Sequence, residues 1–150
     1  RRGVTIFDDL EDPPESGPLF FVEAPDGRTQ MTEIMRVVAF RKLLRATAGA
    51  RVLCFPNANA GKRDPRRAAA EGIMAGVADY TVVWSPSQCA FIEFKGYSKA
   101  GRPGKLSLAQ VEWGNTMHRH GHAVACFFDA AAAVAWLREC GAPVSRAAYI

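Results

Sequence analysis

Two β-rich runs, Tyr80–Trp84 and residues 89–94, are separated only by Ser85, Pro86, Ser87 and Gln88. A connector this short and this rich in turn formers joins two strands as an antiparallel hairpin, and the apolar content of both runs makes that hairpin the centre of a sheet. Three polar residues interrupt it: Asp79 where the first run begins, then Glu93 and Lys95 where the second ends. Side chains two apart on a strand share a face, so Glu93 and Lys95 emerge together while Ile92 and Phe94 point to the other side. A turn within SPSQ sets the start of the first strand beside the end of the second. Asp79 then falls near Glu93, and two carboxylates and an ammonium share one face.

The flanking sequence supplies the remaining layers. Ile34, Val37, Val38, Phe40, Arg41, Leu43 and Leu44 recur with helical spacing behind Thr32, a residue suited to capping, and predict a helix over about 31–47. Residues 51–55 read as a strand ending at Pro56 and feeding the turn-rich NANAGKRD. Asp64 as N-cap and Pro65 at the first helical position predict a short helix over 66–74 that stops near Gly76. GYSKAGRPGK reads as a glycine-rich basic loop, and Ser107 as the N-cap of a helix turning Leu108, Val111, Trp113 and Met117 inward and ending near Gly121. A strand over 123–128 and a helix over 129–140 follow. LFFVEAPDGRTQ, with its Asp26-Gly27 turn, reads as an edge strand or an extended segment lying on the domain. The expected fold class is α/β, a mixed central β-sheet flanked by helices.

At 150 residues the chain holds one domain, and 49% apolar with 23% charged residues excludes a wholly disordered or fibrous protein. The formal net charge of +4 conceals a division. Residues 1–33 carry three basic and eight acidic residues, net −5, and leave sixteen basic against seven acidic residues on the remainder. The expected organisation is an acidic arm over 1–30, loop in its proline-rich part, and a strongly basic domain over 31–150. Such a body favours an anionic macromolecule over a small-molecule substrate. Cys54, Cys89, Cys126 and Cys140 include no C-x-x-C pair, which points to buried thiols in a reducing compartment. With no signal pattern and no apolar stretch near the length of a membrane span, the expectation is a cytoplasmic protein without membrane contact. The first residue is Arg1, which points to a processed product or a piece of a longer chain.

Adjacent carboxylates repel, and a cation offsets the cost of holding them together. Oxygen donors without Cys or His suit Mg²⁺ or Mn²⁺. Such an ion polarises a phosphodiester and lowers the pKa of its bound water, and a neighbouring lysine orients that water or stabilises the developing charge. Taken alone, D-x13-E-x-K reads better as a solvated strand face with a turn residue. The surroundings add weight. The hairpin has a basic loop and a helix on each side, an order that resembles the PD-(D/E)XK nuclease superfamily. FPNANAGKRD, GVADY, IEFK and LSLAQ, in that order and within about 32–137, resemble the VRR-NUC family, found in phages, bacteria and the Fanconi-associated eukaryotic nuclease.

The resemblance implies a PD-(D/E)XK restriction-endonuclease-like core and assigns roles position by position. Asp79 and Glu93 match the metal carboxylates, with the Phe94 carbonyl as a backbone ligand. Lys95 matches the catalytic lysine, and Gln110, three residues after Ser107, the S-x-x-Q glutamine that orients it or the scissile phosphate. Glu33 corresponds to the helix-one glutamate that completes the metal site, although a carboxylate in a first helical turn is also favoured by the helix dipole. Ala78 stands where the family usually has proline, which alters backbone stiffness and removes no ligand.

Two basic clusters on flexible loops flank this site in sequence: Lys62, Arg63, Arg66 and Arg67, then Lys99, Arg102 and Lys105. With Asn57, Asn59, Gly61 and Ser107 they are expected to contact DNA. Glu71 reads as solvated helix surface. His118, Arg119, His120 and His122 read as a helix cap or a DNA contact in preference to a zinc site. Trp84, Trp113 and Trp136 read as core, so no stacking platform for single strands is evident and duplex or branched DNA is expected. The resemblance further implies a homodimer acting on branched DNA such as Holliday junctions. Two other readings stand beside it: a DNA-binding module without cleavage activity, and a restriction-type endonuclease on the same fold.

Overall fold

A computed structural model describes residues 17–58 and 64–146. The hairpin forms as the sequence dictates. β3 (Tyr80–Trp84) and β4 (Gln88–Phe94) pair antiparallel, with Tyr80 opposite Ile92 and Trp84 opposite Gln88. The sheet grows from both sides of this pair. β2 (Val52–Pro56) lies antiparallel to β3, while β5 (Ala123–Phe127) runs parallel to β4. The two-residue β1 (Phe21–Val22) closes the far edge parallel to β5, so the strand order is β1-β5-β4-β3-β2.

Helices cover both faces. α1 (Glu33–Ala48) and α4 (Ala130–Glu139) pack together over one face, burying Val37, Phe40, Leu44, Val134 and Leu137 against Ile92, Phe94, Ala125 and Phe127. Val124 and Cys126 alternate to the opposite face and join Phe20, Ala78 and Trp113 of α3 (Leu108–Arg119). α2 (Pro65–Ala70) has Asp64 as its N-cap but ends earlier than residue 74, because Glu71 caps it and Gly72 turns with φ 76°. Thr32 and Ser107 cap α1 and α3 as expected. Among the described residues no helix is long and apolar enough to cross a membrane.

The inward stripes are narrower than the periodicity implies. Val37, Phe40, Leu44 and Ala48 of α1 join the core, with Leu43 beside them; Ile34 and Val38 stay 66% and 59% exposed. Leu108, in the first turn of α3, is likewise exposed. Trp84 and Trp113 are buried, and Trp136 packs half-buried on the larger core. The four cysteines are all free, but only Cys126 is buried.

Residues 17–31 pack onto this domain. Leu19 N–H donates to Asn115 Oδ1 (2.7 Å), Asn115 Nδ2 donates to the Gly17 carbonyl, and Glu23 Oε1 accepts from the backbone of both Phe128 and Asp129 (2.8 Å each). The strongest tie is Arg36, a cation fully buried on α1. Its guanidinium donates to both carboxylate oxygens of Asp26 (2.6 and 3.1 Å) and to the carbonyls of Arg28, Met31 and Phe128. The rings of Tyr97 and Phe128 lie on it. Its hydrogen bonds hold the Asp26 carboxyl at about 2, below its ordinary 3.8.

A carboxyl whose folded pKa is depressed contributes stability above its unfolded pKa and loses it as pH falls through the folded value. The Asp26 contribution, about 2 kcal/mol by linkage, is therefore present above about pH 4 and lost toward pH 2. In thermal melts Asp26→Asn should lower Tm at pH 7, and the gap to wild type should close near pH 2. A gap unchanged between these two pH values would show that Asp26 is not ionised against Arg36.

Candidate active site

The β3–β4 register extends by one step to set Asp79 against Glu93. The two are clasped through the backbone: Asp79 N–H donates to Glu93 Oε2 (3.1 Å), and Phe94 N–H donates to Asp79 Oδ2 (2.9 Å). Glu93 thus fixes the main chain of Asp79, and Asp79 that of Phe94, the residue after Glu93. Lys95 emerges on the same face, its Nζ 3.5 Å from Glu93 Oε1, and its N–H donates to Phe127 on the parallel strand.

Gln110 joins these groups from α3. Its Nε2 donates to Glu93 Oε1 (2.7 Å), and its Oε1 accepts from Lys95 Nζ (3.0 Å) and from Ser107 N–H (2.8 Å). An amide meets both needs because one end donates to a carboxylate and the other accepts from an ammonium. A glutamate would set a second carboxylate against Glu93. The capping box of α3 completes the arrangement, with Gln110 N–H donating to Ser107 Oγ. One residue therefore starts the helix and ties it to the site.

Two glycines permit the close approaches this requires. Gly76, at φ 81°, passes so near α3 that a Cβ would lie 2.1 Å from the Ala109 carbonyl oxygen. Gly96, just past Lys95, lets β4 run under the start of α1, where a Cβ would meet Glu33 N at 2.4 Å. Glu33 consequently stands near the site although its side chain is exposed.

The electrostatics are those of crowded acids. Burial, followed by the Asp79 charge, raises the Glu93 pKa; burial is also the main cause of the upward shift of Asp79. Partial withdrawal from water and the Asp79 charge raise Glu33, and the Lys95 charge opposes both. One ammonium thus stands among three carboxyls. Among the described residues no three His, Cys, Asp or Glu side chains converge as a ready cation cage. The donors that face one another are Asp79 and Glu93, with Glu33 at the start of α1.

The expected DNA contacts separate into groups. Asn59, Gly61, Lys62 and Arg63 lie outside the described residues. Arg66, Lys99, Arg102 and Lys105 are exposed, and Arg67 pairs with Glu71 one helical turn on (2.8 Å). Asn57 spends its side chain inside the protein instead. Its Nδ2 donates to the Ala78 carbonyl and its Oδ1 accepts from Thr81, while its N–H donates to the Asp79 carbonyl. It fixes the backbone that carries Asp79. Ser107 is similarly engaged in its cap. His120 caps the end of α3, and His122 lies against Cys89. Set against known proteins, the chain matches no family model, no curated protein and no solved structure.

Proposed function

We propose that this chain is a Mg²⁺- or Mn²⁺-dependent DNA endonuclease of the PD-(D/E)XK type, on its motif resemblance to the VRR-NUC family. The observation that carries the reading is the hydrogen-bonded unit of Asp79, Glu93, Lys95 and Gln110 on one edge of the central hairpin. Two neighbouring oxygen-donor carboxyls with raised pKa values and one ammonium suit a divalent cation, because the local negative charge is only partly offset. Asp79 and Glu93 would hold it, with the Phe94 carbonyl and Glu33 as further donors. When bound, such an ion polarises the phosphodiester and acidifies a water.

The remaining work falls to the protein. Lys95 Nζ, held by Gln110 Oε1, orients the attacking water and stabilises the negative charge that develops on the phosphate. Gln110 is a positioning residue, since it reaches the reaction through Lys95 and Glu93. Lys62, Arg63, Arg66, Lys99, Arg102 and Lys105 neutralise backbone phosphates on either side. By the same resemblance, the preferred substrate is branched DNA cut by a homodimer.

The decisive experiment incubates the protein with linear, flapped and four-way DNA in Mg²⁺ or Mn²⁺. Cleavage abolished by EDTA is expected. Metal-independent DNA binding without cleavage of any substrate would overturn the nuclease reading and leave a binding module.

A further inference from the structure

A cavity of about 350 Å³ opens beside the site, and Lys95 belongs to both. It is lined by Cys126 of β5 and Phe128 just past it, by Val22 and Pro25 from the segment before α1, and by Pro103 and Leu106 from the loop before α3. That volume lies in the ~300–1,000 Å³ range of small-molecule sites. The lining is mainly apolar and includes Lys95 and the exposed Lys105; Glu23, its one acidic residue, accepts from the Phe128 and Asp129 N–H groups. An apolar slot bearing cations complements a flat ring linked to phosphate. Glu23 and the Arg36–Asp26 pair fix the segment that forms one wall, so the slot is preformed.

We infer that this cavity receives one unstacked nucleobase of the strand being cut, beside the phosphate that Lys95 engages. The inference rests on the nuclease reading and names its substrate class: DNA with an unpaired nucleotide next to the scissile bond. A base inside a paired duplex must leave its stack to enter, at a cost that is least when it is already unpaired. Junctions, flaps and bulges offer such bases. An intact linear duplex does not.

The test uses linear duplexes carrying one bulged nucleotide at successive positions around the cut, the same duplexes with an abasic residue in its place, and the fully paired duplex, all with Mn²⁺. A bulged base at one position should speed cleavage at least tenfold over the paired duplex. The abasic residue, and Val22→Trp, which fills the slot from its outer wall, should each bring that ratio to about one. A readout independent of cleavage is 2-aminopurine at the favoured position with Ca²⁺, which should brighten on binding wild type and stay dim with Val22→Trp. Cleavage at one rate for every substrate, or an advantage that survives either the abasic residue or Val22→Trp, overturns the pocket and leaves the nuclease standing. Absence of both cleavage and brightening overturns both.

Discussion

Lys95→Ala should cut the rate of DNA cleavage by at least about a hundredfold while leaving DNA affinity, measured with Ca²⁺, within a few-fold of wild type. The size follows from losing a preorganised charge at the reacting phosphate, where removal of a single hydrogen-bond donor typically costs about 10²–10³ in rate. Geometry makes the residue hard to replace. Lys95 Nζ is held at 3.0 Å from Gln110 Oε1 and 3.5 Å from Glu93 Oε1, so an ammonium brought by the solvent would lack both anchors. Lys95→Arg should recover only part of the loss, because a planar guanidinium does not fit the point between an amide oxygen and a carboxylate. Circular dichroism of each variant separates lost chemistry from lost fold. Equal cleavage by a folded Lys95→Ala protein would remove the lysine from the mechanism.

How much of this was legible in the sequence depends on range. The hairpin is a local matter of turn chemistry and alternation, and so were its shared polar face and the caps Thr32, Asp64 and Ser107. Gln110 came from the resemblance alone, because a glutamine in a first helical turn otherwise reads as exposed helix surface. The Gln110 bridge between Glu93 and Lys95 spans 15 to 17 residues and needs α3 folded back over β4, which no periodicity shows. Asn57 has a tie that its local sequence does not show. Its place in a turn-rich basic stretch suggests an exposed contact, yet the adjacent edge strand turns it inward against Ala78 and Thr81. Ile34 and Val38 were misplaced because helical spacing marks an apolar stripe without revealing how wide a face the sheet can cover. Arg36 was invisible for a related reason: a single cation inside an apolar pattern reads as an interruption until its partner, Asp26, is found across a turn.

Arg36→Met should cost about 3–5 kcal/mol of stability, the range for removing one partner of a buried ion pair. The substitution deletes the guanidinium that joins the Asp26 carboxylate to three backbone carbonyls and lies against two aromatic rings. Methionine fills much of the volume but satisfies none of those acceptors, and unsatisfied buried acceptors carry most of the cost. For a chain of this length the fall in Tm should be about 10 °C or more, at roughly 2–4 °C per kcal/mol. Arg36→Lys should lie between, since one ammonium cannot serve so many acceptors in a fork. Against an Asp26→Asn background the effect of Arg36→Met should shrink, because the stranded carboxylate is gone, while the part due to the carbonyls persists. A loss below about 1 kcal/mol would mean that the segment before α1 is held by Glu23 and Asn115 instead. The consequence reaches the site: that segment supplies Val22 and Pro25 to the wall beside Lys95, so Arg36 variants that remain folded should lose the preference for unpaired bases before they lose cleavage.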